Sequence, residues 1–257
     1  MLTPDPAVPA AIEAIPGPQH LLIDADDTLW ENNIYFERAS ERFIDILDHE
    51  HLSPEEVRTI FDEAETATRA THGYGAKAFA HTLRSTFVTL TEGNATAAEA
   101  DEIKKLGLDI LGTTIEPLPD VIPTLEVLRK HHDLYIVTKG EHDEQRLKVD
   151  ASGMEPLFDG VIITHEKSPA TYHDAVASLD LAPERTWMIG NSPRSDINPA
   201  LEAGINAVFI PHPHTWRLEE AEITDTSAGP GRLLRLTRFS ELARVFPGAE
   251  ALLREKP

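Results

Sequence analysis

The chain has 257 residues, 41% hydrophobic and 26% charged, enough for one sizeable core or a core plus a smaller insertion, and too apolar for disorder throughout. A count of 44 acidic against 23 basic residues leaves a net charge of -21, which repels phosphate backbones and anionic lipids, so neither a nucleic-acid nor a membrane partner is expected. Cysteine is absent, which excludes disulfide scaffolds, thiolate zinc sites and cysteine nucleophiles and fits a cytoplasmic protein.

Residues 1–18 carry Pro4, Pro6, Pro9, Pro16 and Pro18, which forbid a continuous helix and predict an extended arm, read as a tail. The arm lacks the basic start of a secretory signal, and no apolar run approaches the ~20 residues of a membrane span. The run from His20 to Ala25 predicts a first strand. From Glu31 to Leu118 no strand-like run occurs, while helical stripes recur: Phe36, Ala39, Phe43 and Ile46; Val57, Ile60, Phe61 and Ala64 behind a capping box from Ser53 to Glu56; Phe79, Leu83, Phe87 and Leu90; Ile103, Leu106 and Ile110. These predict a helical insertion over 31–118 within a core of 19–30 and 119–257. Four more strand-like runs follow, Leu134 to Thr138, Gly160 to Thr164, Thr186 to Gly190 and Ala207 to Ile210, with helical stripes at Val121 to Leu128, Tyr172 to Leu179 and Ile197 to Leu201 between them. Leu233 to Phe246 returns as a last strand or helix. Alternating strands and helices predict an α/β fold, a parallel, Rossmann-like sheet with helices on both faces and its ligand site beyond the carboxyl ends of the strands.

Those strand ends carry chemistry. Asp24, Asp26 and Asp27 place three carboxyl groups within four residues after the first strand; they repel one another unless a cation sits among them, and an oxygen-only donor set suits Mg²⁺. Solvated acidic turn residues are the plain alternative for such a motif in isolation. Thr138, Lys139 and Gly140 offer a hydroxyl, an ammonium and backbone amides to a phosphate. Lys167 precedes the N-cap Ser168 and Pro169, and Asn191 and Asp196 follow the fourth run. Successive strand ends that supply Asp/Asp, Thr, Lys and Asp make coincidence a poor explanation.

In this order and spacing the chain resembles the haloacid dehalogenase (HAD) superfamily, in its phosphatase-like branch with an all-helical (C1-type) cap inserted after the first strand. The matching segments are DADDT at 24–28, VTKG at 137–140, EKSP at 166–169 and GNSPRSDINPALEAG at 190–204. The resemblance implies Asp24 as a nucleophile that forms an aspartyl-phosphate and Asp26 as acid and base. Thr138 and Lys167 would hold the phosphoryl oxygens, and Mg²⁺ would be bound by Asp24, the Asp26 carbonyl and Asp196. Asn191 stands where an Asp is common and would retain an oxygen near the metal.

Asp26 favours phosphate ester hydrolysis over dehalogenation, since a halide leaves without a proton. The expected substrate is a small phosphorylated metabolite, and the expected assembly a monomer or homodimer. Phosphomutase or phosphonatase chemistry and a non-catalytic phosphate-binding module are the alternatives; a phosphonatase would want an imine-forming lysine in the cap, for which Lys77 is the one candidate. The turn from His72 to Lys77 is the expected substrate-selecting loop, with Tyr74 and Lys77 as contacts; a plain interhelix turn is the alternative. Trp30, Glu31 and Asn32 should form the hinge. His212-Pro213-His214 is read as a surface loop rather than a metal site, and Arg194 as an ion-pair partner of a carboxylate rather than a substrate contact.

Overall fold

Each run that the sequence predicts as a strand pairs into one parallel sheet, joined by a sixth strand of three residues. The computed structural model describes residues 14–48, 51–224 and 229–248. In chain order these form β1 (His20–Ile23), α1 (Asn33–Leu47), α2 (Pro54–His72), α3 (Ala76–Leu90), α4 (Ala97–Leu108), α5 (Val121–Leu128), β2 (Asp133–Lys139), α6 (His142–Ser152), β3 (Gly160–Thr164), α7 (Pro169–Ser178), β4 (Thr186–Gly190), α8 (Asn198–Glu202), β5 (Asn206–Phe209), β6 (Leu233–Arg235) and α9 (Leu242–Val245). The strand order is β3-β2-β1-β4-β5-β6, with every neighbouring pair parallel.

Parallel sheets need both faces covered, which explains the continuous apolar runs. Leu21 and Ile23 of β1 enter one apolar cluster with Val121, Leu125, Ile136 and Ile189, while Leu22 enters the opposite one with Val137, Tyr172 and Met188. The alternation follows from the period of two along a strand. Truncating one such side chain, as in Leu22→Ala, costs about 2–5 kcal/mol. The middle strands β1 and β4 are buried, whereas β3 is half-buried throughout. The sequence presents β3 as a buried strand; its place at a sheet edge leaves it partly uncovered.

The helical stripes within residues 31–118 become α1 to α4, which enclose their own apolar cluster around Phe43, Phe61, Phe79, Leu83 and Ile103. Close approach of α3 and α4 depends on Gly107, where an added Cβ would lie 2.6 Å from the Ala80 Cα. The chain leaves and rejoins the sheet region at one place: Glu31 N donates to Glu116 O at 3.0 Å and Leu118 N to Leu29 O at 2.9 Å, an antiparallel contact centred on Trp30 and Pro117.

Two expectations change. The arm reading of residues 1–13 lies outside the described residues, but Ile15 is no tail: it is buried in the main core and its N–H donates to Val245 O at 2.7 Å. The stripe beginning at Ile197 is preceded by a π-helical turn, Pro193–Ile197, with Ile197 N reaching back to Ser192 O. Helix α6 was not legible as a stripe, because HDEQRLKVDAS is polar and its Leu147 faces outward. No described helix is long and apolar enough to cross a membrane.

Candidate active site

Just past β1, Asp24 extends the ladder through its N–H to Ile189 O at 2.9 Å, and the chain then folds back so that the N–H groups of Thr28, Leu29 and Trp30 converge on Ala25 O. Asp27 adopts a left-handed conformation, φ 60°, a modest strain for Asp. Its carboxylate accepts from the N–H groups of Asn32 and Asn33 at the start of α1, which meets orphan donors of that helix.

The buried centre is Lys167. Its Nζ donates to Asp24 Oδ1 at 2.5 Å and to Asp196 Oδ1 at 2.7 Å, with its side chain 2% exposed. Burial opposes the charge on Lys167, yet Asp196 and Asp24 outweigh it and hold the ammonium above the usual lysine range. Burial, then repulsion from Asp196, pushes the Asp24 carboxyl up against the pull of Lys167. Asp196 is placed by the π-helical turn: its Oδ2 accepts from Ser192 N at 2.9 Å, and a Cβ at Gly190 would collide with that carboxylate. Two buried carboxylates against one ammonium leave a negative charge uncompensated, so Asp24 and Asp196 fit a hard divalent cation.

Around this centre stand the other expected residues. Thr138 Oγ1 donates to Gln145 Oε1 at 3.0 Å. Asn191 accepts at Oδ1 from Thr28 Oγ1 at 3.2 Å and donates from Nδ2 to Thr215 Oγ1 at 2.9 Å, so both ends of its amide are engaged. Asp26 accepts from Trp30 Nε1 at 2.8 Å and Gln145 Nε2 at 3.2 Å, and forms an ion pair with Lys148 at 2.7 Å. Lys139 is committed to Glu219 Oε1 at 2.5 Å and Ser195 Oγ at 2.8 Å. Although burial works against the charge of Glu219, Lys139 and the two serine hydroxyls hold its carboxyl below the usual range.

Asp24, Asp26, Thr138, Lys139, Lys167, Asn191 and Asp196 line one cavity of about 140 Å³, together with Phe36, Phe79, Tyr74 and Trp216. Tyr74 donates to Glu166 Oε2 at 2.5 Å, and its ring meets Lys139 Nζ at 4.5 Å. Lys77 is not brought to the cavity: its side chain is 64% exposed and lies 3.7 Å from Glu144, whose other oxygen accepts from Ala76 N at the start of α3. Arg194 makes no ion pair among the described residues and donates to Leu218 O instead. His212 is not on the surface. Its side chain is 9% exposed and lies 3.8 Å from Asp27 and 3.5 Å from Glu31, a trio whose ligand atoms all fall within 4.8 Å of one another.

Sequence reasoning missed Gln145 and Lys148 together with α6, and missed Trp216 and Glu219 in the poorly periodic stretch after β5. One signal was available for α6: Asp143 and Glu144, acidic first-turn residues soon after Gly140.

A family profile described as haloacid dehalogenase-like hydrolase matches residues 18–204. A haloacid dehalogenase-like family hydrolase from Xanthomonas campestris superposes with a TM-score of 0.74 at 26% identity, covering 93% of this chain and 95% of that one. The HAD-hydrolase YfnB of Bacillus subtilis, solved bound to magnesium, shares the fold with a TM-score of 0.60 at 16% identity over 90% of this chain and all of its own. Among curated proteins, the chain is 30% identical to mouse N-acylneuraminate-9-phosphatase over 93 residues and 31% identical to the phosphoserine phosphatase of Thermus thermophilus over 90. Those stretches take up 34% and 33% of this chain and only 38% and 36% of the relatives' lengths.

Proposed function

Because the chain belongs to the haloacid dehalogenase-like hydrolases, we propose that it hydrolyses a small phosphate monoester through a phosphorylated Asp24. The observation that carries this reading is the buried Lys167 ammonium, 2.5 Å from Asp24 and 2.7 Å from Asp196, at the floor of the cavity. A lysine there offsets the repulsion between an anionic nucleophile and an anionic substrate. The phosphatases among the similar curated proteins support it.

In the proposed sequence an Asp24 carboxylate oxygen attacks phosphorus and the bond to the ester oxygen breaks. Protonated Asp26 gives its proton to the departing alkoxide. Asp26 then accepts a proton from the water that attacks the phosphoaspartate, which releases inorganic phosphate and restores the Asp24 carboxylate. Thr138 and Lys167 hold the phosphoryl oxygens. Asp24, Asp196, the Asp26 carbonyl and Asn191 would hold Mg²⁺, which when bound would supply positive charge to the transferring group. Asp26 must exchange Lys148 for the ester oxygen in this scheme, a rearrangement that suits helices α1 to α4 acting as a cap.

The arrangement weighs against the phosphonatase alternative, since Lys77 faces away from the cavity. Asp26 weighs against dehalogenation. Phosphate release from a panel of esters, with and without Mg²⁺, tests the proposal. Asp24→Asn should lower turnover by far more than the ~10²–10⁴-fold typical of an acid/base residue, with the fold intact by circular dichroism. Activity above about a hundredth of wild type in that variant removes the covalent route.

A further inference from the structure

Four arginines pair with carboxylates: Arg58 with Glu37 and Asp62, Arg84 with Asp101, Arg146 with Asp150 and Glu155, and Arg217 with Asp62. Arg69 does not. It lines the cavity from the last turn of α2, its Nη1 is buried without a hydrogen-bond partner, and among the described residues its guanidinium has only the Tyr74 ring, 5.6 Å away. A buried donor left unmet is unfavourable, and a planar guanidinium is shaped to grip a carboxylate or phosphate with two parallel bonds.

Its position relative to the reacting end is fixed by Tyr74. The same ring that meets Arg69 meets Lys139 at 4.5 Å, and Lys139 directly follows Thr138 at the end of β2. A ligand that starts at Asp24, Thr138 and Lys167 and runs along Tyr74 therefore arrives at Arg69. Phe36, Phe79 and Trp216 wall the way. The cavity, about 140 Å³, is small and suits a short leaving group.

Resting on the phosphoester reading above, we propose that Arg69 selects the leaving group and that the substrate carries, a few carbons from the ester, a second oxyanion: a carboxylate or a second phosphate. The other cations that line the cavity are already held by carboxylates: Lys139 by Glu219, Lys148 by Asp26, and Lys167 by Asp24 and Asp196.

Calorimetric titration with two non-hydrolysable probes in magnesium buffer reads this without turnover. 3-Phosphonopropionate and propylphosphonate share a phosphonate and a three-carbon body and differ by the carboxylate. The wild type should bind the carboxylate probe at least about tenfold more tightly, Arg69→Gln should bring the ratio near one, and Arg69→Lys, which keeps the charge and loses the fork, should fall between. Propane-1,3-bisphosphonate as a third probe tells which oxyanion is preferred. A wild type without preference, one that binds none of these probes, or a preference that survives in Arg69→Gln overturns the proposal; should that variant not fold, a preference undiminished in Arg69→Lys does so. A protein that shows the Arg69-dependent preference and yet releases phosphate from no ester instead overturns the phosphatase reading and leaves the oxyanion site standing.

Discussion

Asp26 is held on every side at once, by the Trp30 indole, the Gln145 amide and the Lys148 ammonium. On the proposed mechanism an acid that must protonate an alkoxide gains nothing from a permanent cation beside it, which makes Lys148 a resting partner to be exchanged for the ester oxygen. Two substitutions separate these roles. Asp26→Asn should depress hydrolysis of alkyl phosphates by about 10²–10⁴-fold while an activated aryl phosphate, whose phenoxide leaves with little protonation, loses far less. Lys148→Met should affect both substrate classes alike, by a smaller factor. Equal losses for the two classes in Asp26→Asn remove it from the acid role, and steady-state kinetics on a matched alkyl and aryl pair decides. The signature motifs made Asp24 and Asp26 legible as residues, and Lys167 and Asp196 as the company of Asp24; the Lys148 partner of Asp26 was not legible, because a motif records identities along the chain and Lys148 arrives from 122 residues away.

At the scale of elements, β1 to β5 were legible because each is an apolar run short enough to be a strand and bounded by polar turns. The helices α1 to α4 were legible because each turns one apolar stripe toward a shared cluster. Helix α6 has the reverse character. It packs few apolar residues and devotes its inward face to Glu144, Gln145 and Lys148, so the property that hid it from periodicity is the one that ties it to the cavity and to the start of α3. The turn between α2 and α3 divides likewise. Tyr74 lines the cavity, whereas Lys77 sits outside it against Glu144. Tyr74→Ala should therefore reorder the preference among large and small esters, and Lys77→Ala should leave that order unchanged while lowering the melting temperature by no more than about 2–4 °C, as befits an ion pair of about 0–1 kcal/mol whose lysine is exposed. A reordering by Lys77→Ala, with Tyr74→Ala silent, reverses the assignment.

For the whole molecule, a net charge of -21 means that burying further carboxylates works against folding as they ionise. Glu65 is the instructive case. Burial, only partly relieved by the Trp216 indole N–H at 3.2 Å, pushes its carboxyl from 4.5 up to about 7. The unfolded chain gives up this proton near 4.5 and the folded one near 7, so Glu65 withdraws stability as pH rises across that window and a constant amount above it. Glu65→Gln keeps an acceptor for Trp216 and abolishes the titration. The melting-temperature gain of Glu65→Gln over wild type should consequently be larger at pH 8 than at pH 4.5, and calorimetric scans that show one offset at both values would refute the burial argument.

The pairing of Glu31 with Glu116 and of Leu29 with Leu118 brings both ends of the helical segment together beside the sheet. For the rest of the chain, α1 to α4 thus amount to one long loop whose closure is already accomplished, and lengthening or shortening such a loop changes its entropic cost only logarithmically. Helices in that cassette can be exchanged, added or redrawn with little effect on the strands that carry Asp24, Thr138, Lys167 and Asp196. On the proposed reading, evolution can thus rewrite which ester is admitted while the phosphoryl chemistry stays fixed.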